Sequence, residues 1–170
     1  MPSANANMSM SLAGYAALRV SEGVVMSYYN DNHLPTGGNC TWGIGTLAHM
    51  GPCTQEELQR TVLPEQANAI LYNRVHDAER RVRAIVTERP LTQAQFDAAV
   101  SFAYNSSNVN TRLALSPANT GDLGGVATQM MSNVLITPRN RDGSPAGPPV
   151  RSRGLVNRRT RESSAFRAAR

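Results

Sequence analysis

The chain has 170 residues, 41% of them hydrophobic and 17% charged, values that exclude wholesale disorder, collagen-like repeats and coiled coil. That length suits one domain, or a body with a small lobe, and leaves room for a real core. All 17 basic residues are arginine, and residues 139–170 hold nine of them against two acids, so the net charge of +5 belongs to the C-terminus.

Such a basic face suits nucleic acid, an anionic membrane or an anionic wall polymer, and charge alone does not choose among them. No apolar run reaches the roughly 18 residues needed to span a bilayer. The N-terminus, MPSANANMSMSLAGYAALRVSEG, lacks a basic leading region and has only a broken apolar stretch, so no secretory signal is expected.

Along the chain, Leu12, Tyr15, Ala16 and Leu18 follow helical spacing that stops at Ser21-Glu22-Gly23. Val24 to Tyr29 reads as a strand. After the turn-rich stretch Asn30 to Asn39, Cys40 to Thr46 reads as a second strand, and together these predict a small hairpin lobe. Thr54 to Glu57 is a capping box that starts a short helix. Pro64 opens a long helix with the stripe Ala67, Ile70, Leu71, Val75, Ala78, Val82, Ile85 and Val86, ended by Pro90. A second capping box, Thr92 to Gln95, begins a helix carrying Phe96, Ala99, Val100 and Ala103. Leu123, Val126, Ala127, Met130, Met131 and Val134 predict another, with the methionines as core filling. Thr137 to Ser152 reads as an exposed loop and Leu155 to Ala169 as a terminal helix. The expected class is α+β, a mainly helical domain with a small N-terminal β-lobe and a cleft between them.

Two cysteines, Cys40 and Cys53, either form a disulfide or stay as buried thiols. A zinc site from Cys40, His49 and Cys53 lacks an obvious fourth ligand and a standard spacing, so no metal and no cofactor is expected.

Glu22 lies at a helix end and Asp31 nine residues on in a turn. Glycosidic cleavage needs one carboxylic acid to protonate the leaving oxygen and one carboxylate to activate water or attack the sugar. Thr41 could hold a water or orient Asp31. Spacing alone also fits surface acids and a strand threonine.

The local strings tip that balance. Glu22-Gly23, Tyr29-Asn30-Asp31 and Thr41-Trp42-Gly43-Ile44-Gly45 resemble the E-G, Y-x-D and T-x-G-x-G signature of the phage-type (T4-like) lysozymes, glycoside hydrolase family 24. The stretch from Leu91 to Asn105 is similar to that family's L-T-x-x-Q-F-D-A helix, and Gly154-Leu155-Val156-Asn157-Arg158-Arg159 with Glu162 to its C-terminal G-L-x-x-R-R-x-x-E. The resemblance implies one lysozyme-like domain over 1–170, with residues 22–50 as the β-lobe and 54–170 as the helical lobe, joined by an N-terminal helix over 10–21. It implies a peptidoglycan hydrolase, an endolysin-like muramidase that cuts the β-1,4 bond between N-acetylmuramic acid and N-acetylglucosamine.

In that family pattern Glu22 matches the general acid, Asp31 the second carboxylate, and Thr41 the threonine that places the attacking water. Asn105 falls at a substrate-facing amide, and Arg158, or else Arg159, at an arginine that pairs with the catalytic glutamate. To act as acid Glu22 must be protonated, which calls for a partly desolvated site. An inverting arrangement implies carboxylates roughly 6.5 to 9.5 Å apart. Two features depart from the pattern: about four extra residues between Asp31 and Thr41, and Thr46 where histidine is common.

A lytic transglycosylase needs only the glutamate and leaves a 1,6-anhydro product; Asp31 and Thr41 favour hydrolysis. A basic binding protein for nucleic acid lacks aromatic interleaving and any recognisable module, so no nucleic-acid partner is expected. The expected partner is the peptidoglycan glycan strand, with an immunity protein if the chain is a delivered antibacterial effector, and the expected state is a monomer. Synthesis in the cytoplasm and action in the periplasm, after holin release or secretion-system delivery, follow from the same resemblance.

Overall fold

The computed structural model describes residues 3–31, 38–138, 140 and 144–167. They form two compact units. Residues 15–76 make one, and residues up to Gly14 together with those from Asp77 onward make the other.

The smaller unit opens with α1 (Leu12–Glu22), whose first residues belong to the other unit. Gly23 follows with φ of 59°, a left-handed conformation that costs glycine nothing and turns the chain out of the helix. The strands are β1 (Val25–Asn30), β2 (Cys40–Gly43) and β3 (Thr46–His49), in an antiparallel sheet of order β1-β2-β3. The two-strand reading is therefore corrected to three. Cys40 to Thr46 does not run straight, because Gly43 and Gly45, at φ of 63° and 78°, fold Ile44-Gly45 into a turn that reverses the chain.

Behind the sheet comes α2 (Gln55–Leu58). Its capping box is complete: Thr54 Oγ1 accepts from the Glu57 amide, and Glu57 Oε2 accepts from the Thr54 amide at 2.7 Å. A disulfide joins Cys40 to Cys53 and ties β2 to the segment that enters α2. Long helix α3 (Pro64–Ile85) starts here, and Ala67, Leu71 and Val75 are buried with Leu18, Ile44 and Val62.

The larger unit continues α3 through Ala78 and Val82. It adds α4 (Gln93–Tyr104), α5 (Asn108–Leu115), a 3-10 turn over Ser116–Thr120, α6 (Leu123–Ser132) and α7 (Arg153–Ser164). Phe96, Phe102, Val100, Leu115, Met130 and Phe166 are almost wholly buried in it. The sequence reading passed over α5. Its buried face is Thr111, Ala114 and Leu115, while Val109 and Leu113 point outward, so its apolar residues do not trace a stripe. Ser107, which caps it by accepting from the Asn110 amide, was the available signal. The base of the Thr137 to Ser152 loop is a short ribbon of β4 (Leu135–Ile136) and β5 (Val150–Arg151). Residues 139 and 141–143 of that loop, and 168–170 beyond α7, lie outside the described residues, as do 32–37.

Polar side chains pin the N-terminal segment to this unit. Asn5, fully buried, donates to the carbonyls of Val86 and Arg89 and accepts from the Leu91 amide, all within 2.9 Å. Buried Glu79 accepts from the Met10 amide at 2.7 Å.

Candidate active site

Glu22 is the last residue of α1 and is half-buried. Asp31 sits one residue past β1 and Thr41 is the second residue of β2. The sheet register aligns them. Asn30 pairs with Cys40 and Tyr29 with Thr41, so Asp31 stands where the two strands part.

One residue that the motif reading did not single out organises this corner. The Asn39 amide donates to Asp31 Oδ1 at 2.8 Å, and the Asn39 carbonyl accepts from the Asp31 amide at 3.0 Å and from Thr41 Oγ1 at 3.2 Å. Its side-chain oxygen accepts from the Gly51 amide at 3.0 Å. Asp31 and Thr41 are thereby fixed to the same residue, Asp31 through both the amide and the carbonyl of Asn39 and Thr41 through its carbonyl. The extra residues of the loop leave and return between Asp31 and Asn39, whose paired backbones close its base. A bonded loop base insulates the strand register from loop length, because added residues cost only closure entropy. Asparagine beside a turn was the one sequence signal for this role.

Thr41 is buried and spends its hydroxyl proton on the Asn39 carbonyl, which leaves the oxygen's lone pairs to accept from a water. Burial, and then the neighbouring Asp31 charge, push the Tyr29 hydroxyl above its ordinary pKa of 10.0, against a lowering contribution from the Gly45 backbone. Tyr29 therefore stays a neutral phenol beside Asp31 across the physiological range. Thr46, the departure from the family pattern, pairs with Trp42 across β2 and β3.

In the larger unit the R-R-x-x-E string of α7 forms a buried charge network. Glu162 Oε1 accepts from Arg158 Nε at 3.0 Å and from Ser101 Oγ at 2.6 Å, and Glu162 Oε2 accepts from Arg159 Nη1 at 2.6 Å. Arg159, at 2% exposure, also donates to the Asn133 carbonyl, Asn105 Oδ1 and Ser106 Oγ, and its guanidinium lies 4.4 Å from the centroid of the Phe102 ring. Arg158 Nη2 donates to the Ser101 carbonyl. Asn105, which ends α4 as its C-cap, is exposed and held by Arg159. It lines a recess of about 310 Å³ with Ser106, Asn110, Asn133, Leu155 and Arg159.

A family model for phage lysozyme matches residues 19–162, a span that takes in every one of these side chains. The chain belongs to the phage lysozyme family. Its fold is that of the family's solved structures. An endolysin from Escherichia coli O157:H7 phage FAHEc1 superposes with a TM-score of 0.70 at 28% identity, over 94% of each chain. The muramidase domain of SpmX from Asticaccaulis excentricus does so with a TM-score of 0.70 at 26% identity, over 96% of this chain and 100% of that one. No curated protein sequence matches the chain.

As a phage lysozyme, the protein is a glycosidase of the peptidoglycan-hydrolysing class with an α+β lysozyme-like fold. The structure draws Asp31, Thr41 and Tyr29 together through the sheet, and Asn105, Arg158, Arg159 and Glu162 together through α4 and α7. Glu22, Asp31, Thr41 and the Cys40–Cys53 disulfide belong to the smaller unit, Asn105 and Arg158 to the larger.

Proposed function

We propose that this phage lysozyme hydrolyses the β-1,4 bond between N-acetylmuramic acid and N-acetylglucosamine, with Glu22, Asp31 and Thr41 as its catalytic residues. The observation that carries the reading is the shared anchoring of Asp31 and Thr41 on Asn39. A carboxylate held by the amide of one residue and a hydroxyl held by that residue's carbonyl are suited to receive a single water between them. Asp31 takes a proton from that water as it attacks the anomeric carbon, and Thr41 Oγ1 accepts its other hydrogen and sets its angle. Glu22 delivers a proton to the departing glycosidic oxygen, so that the sugar leaves as an alcohol rather than as an alkoxide. Water enters on the face opposite the leaving group, and the configuration inverts.

Asn105 and Arg158 bind substrate in this scheme. Arg159 fixes the Asn105 carbonyl oxygen, which turns the amide into a defined hydrogen-bonding group at an exposed surface. The wall of a bacterial cell is the site of action. Holin release and delivery into a rival cell are the two routes that fit a wall hydrolase.

The test is Glu22→Gln, which keeps the side-chain volume and removes the acid. Turbidity clearing of wall suspensions should fall by at least about 100-fold, the lower end for loss of general acid catalysis, with an unchanged circular dichroism spectrum. Substantial lysis by the folded variant would overturn the assignment.

A further inference from the structure

The Cys40–Cys53 disulfide is packed against two side chains that the glycosidase chemistry does not use. Cys40 Sγ, a ring nitrogen of His49 and a carboxylate oxygen of Glu57 all lie within 4.8 Å of one another. Three elements supply them. Cys40 and His49 are direct partners across β2 and β3, and Glu57 comes from α2. The fourth group is Cys53, held at Cys40 by the disulfide itself. Glu57 is thus the ligand that the sequence reading of Cys40, His49 and Cys53 was missing.

We propose that, once this disulfide is reduced, Cys40, Cys53, His49 and Glu57 form a zinc site, so that one corner of the smaller unit is closed by a disulfide in an oxidising compartment and by Zn²⁺ in a reducing one. The donor set suits a structural zinc, which takes four sulfur, nitrogen or oxygen ligands in a tetrahedron. With zinc to sulfur distances of about 2.3 Å and zinc to nitrogen or oxygen distances of about 2.0 to 2.2 Å, neighbouring ligands stand roughly 3.5 Å apart. Three of the four donor atoms already lie within 4.8 Å of one another, and the fourth, Cys53 Sγ, must move away from Cys40 Sγ once the bond between them is reduced.

The imidazole is already oriented as a ligand. His49 Nδ1 faces the Met50 carbonyl at 3.0 Å and Nε2 faces Glu57 Oε1 at 3.0 Å, so that Nδ1 keeps its proton for the carbonyl while Nε2 gives up its own to take a metal. A ring nitrogen that donates to a backbone carbonyl is the usual support of a metal-bound histidine. Glu57 is held in turn by the Thr54 amide through Oε2, and its Oε1, which faces His49 Nε2, is the oxygen a metal would take by inserting between the two. The chemistry balances with a dithiol as reductant. The dithiol gives two electrons and two protons to the sulfur–sulfur bond, becomes a disulfide, and leaves two thiols on the chain. Zn²⁺ then binds both sulfurs and His49 Nε2 while the two thiol protons and the Nε2 proton pass to solvent, as ligation by thiolate and neutral imidazole requires.

The experiment uses the full chain and zinc alone. One sample is kept oxidised; the other is reduced with tris(2-carboxyethyl)phosphine, which supplies the same two electrons and becomes the phosphine oxide. Both are loaded with Zn²⁺, desalted without air and assayed for metal. The expected result is about one zinc per reduced chain and none above background per oxidised chain. Cobalt substitution of the reduced chain should give a thiolate-to-metal charge-transfer band. His49→Ala and Glu57→Gln should each weaken zinc by at least tenfold, and Glu57→Gln keeps the capping box because glutamine serves there too. A reduced chain that holds no more zinc than the oxidised one would overturn the proposal. So would equal affinity in folded His49→Ala, which would mean that the thiols bind metal by themselves.

Discussion

Glu162→Gln is the perturbation that isolates the buried charge network. Glu162 is 5% exposed, and its carboxylate meets two guanidiniums, Arg158 and Arg159, that are 7% and 2% exposed. Glutamine keeps the volume and one acceptor oxygen but removes the negative charge and puts an amide nitrogen against an arginine. Both buried guanidiniums then lose the Glu162 carboxylate, and breaking a buried pair from one side costs about 3 to 5 kcal/mol. At roughly 2 to 4 °C per kcal/mol for a chain of this size, the thermal midpoint should fall by about 6 to 20 °C. Glu56→Gln is the control. Its partner Arg60 is solvent-exposed at 3.4 Å, and an exposed pair contributes about 0 to 1 kcal/mol. Melting followed by circular dichroism at neutral pH measures both, and a double variant with Arg159→Met should lose much less than the sum of the singles, since Arg159 and Glu162 are in contact. A Glu162→Gln midpoint within about 2 °C of the parent would refute the reasoning.

Replacing both cysteines by alanine should cost about 3 kcal/mol, the chain-entropy value for a loop closed over 13 residues of separation; urea denaturation under oxidising conditions checks it, and an unchanged midpoint would contradict it. The His49–Glu57 pair gives a pH signature. The Thr54 amide, and then His49, lower Glu57 from 4.5 to about 2, so its contribution to stability is complete above 4.5 and lost as pH falls through about 2. The Met50 carbonyl, and then Glu57, raise His49 above 6.5, so that contribution is complete below 6.5 and lost as pH rises through the raised value. Glu57→Gln should therefore lower the His49 midpoint in an NMR titration without abolishing the Met50 part; no movement would show that the pair does not form in solution. Thr41→Val should lower kcat with little change in KM, since the hydroxyl serves water rather than sugar, and a variant with unchanged kcat would remove Thr41 from the reaction.

The helices were legible wherever a capping box or an apolar stripe marked them. Thr54 and Thr92 each announced a capping box that the structure contains in full, and the stripe from Ala67 to Val82 is buried along α3. The polar anchors were not legible. Asn5 and Glu79 bury polar groups whose partners lie about 70 to 86 residues away in the chain, and local periodicity carries no trace of such pairs. The third strand was hidden for a related reason: two glycines in one apolar string read as strand residues until their positive φ values show a turn.

The candidate site divides in the same way. Glu22, Asp31 and Thr41 could be named because the family motif names them, while Asn39, which fixes two of them through its backbone, carries its function in groups that every residue possesses. The arginine excess has also become specific. Of the nine C-terminal arginines, Arg158 and Arg159 are buried around Glu162, whereas Arg151, Arg153, Arg161 and Arg167 are exposed.

If water cleaves the bond after the muramic acid residue, the mass spectrum of the muropeptides released from purified peptidoglycan carries the trace of it in the product ends. The released fragments should end in reducing N-acetylmuramic acid, each heavier by one water than its anhydro counterpart. Reducing N-acetylglucosamine ends would contradict the bond assigned, and 1,6-anhydro ends would replace hydrolysis by transglycosylation.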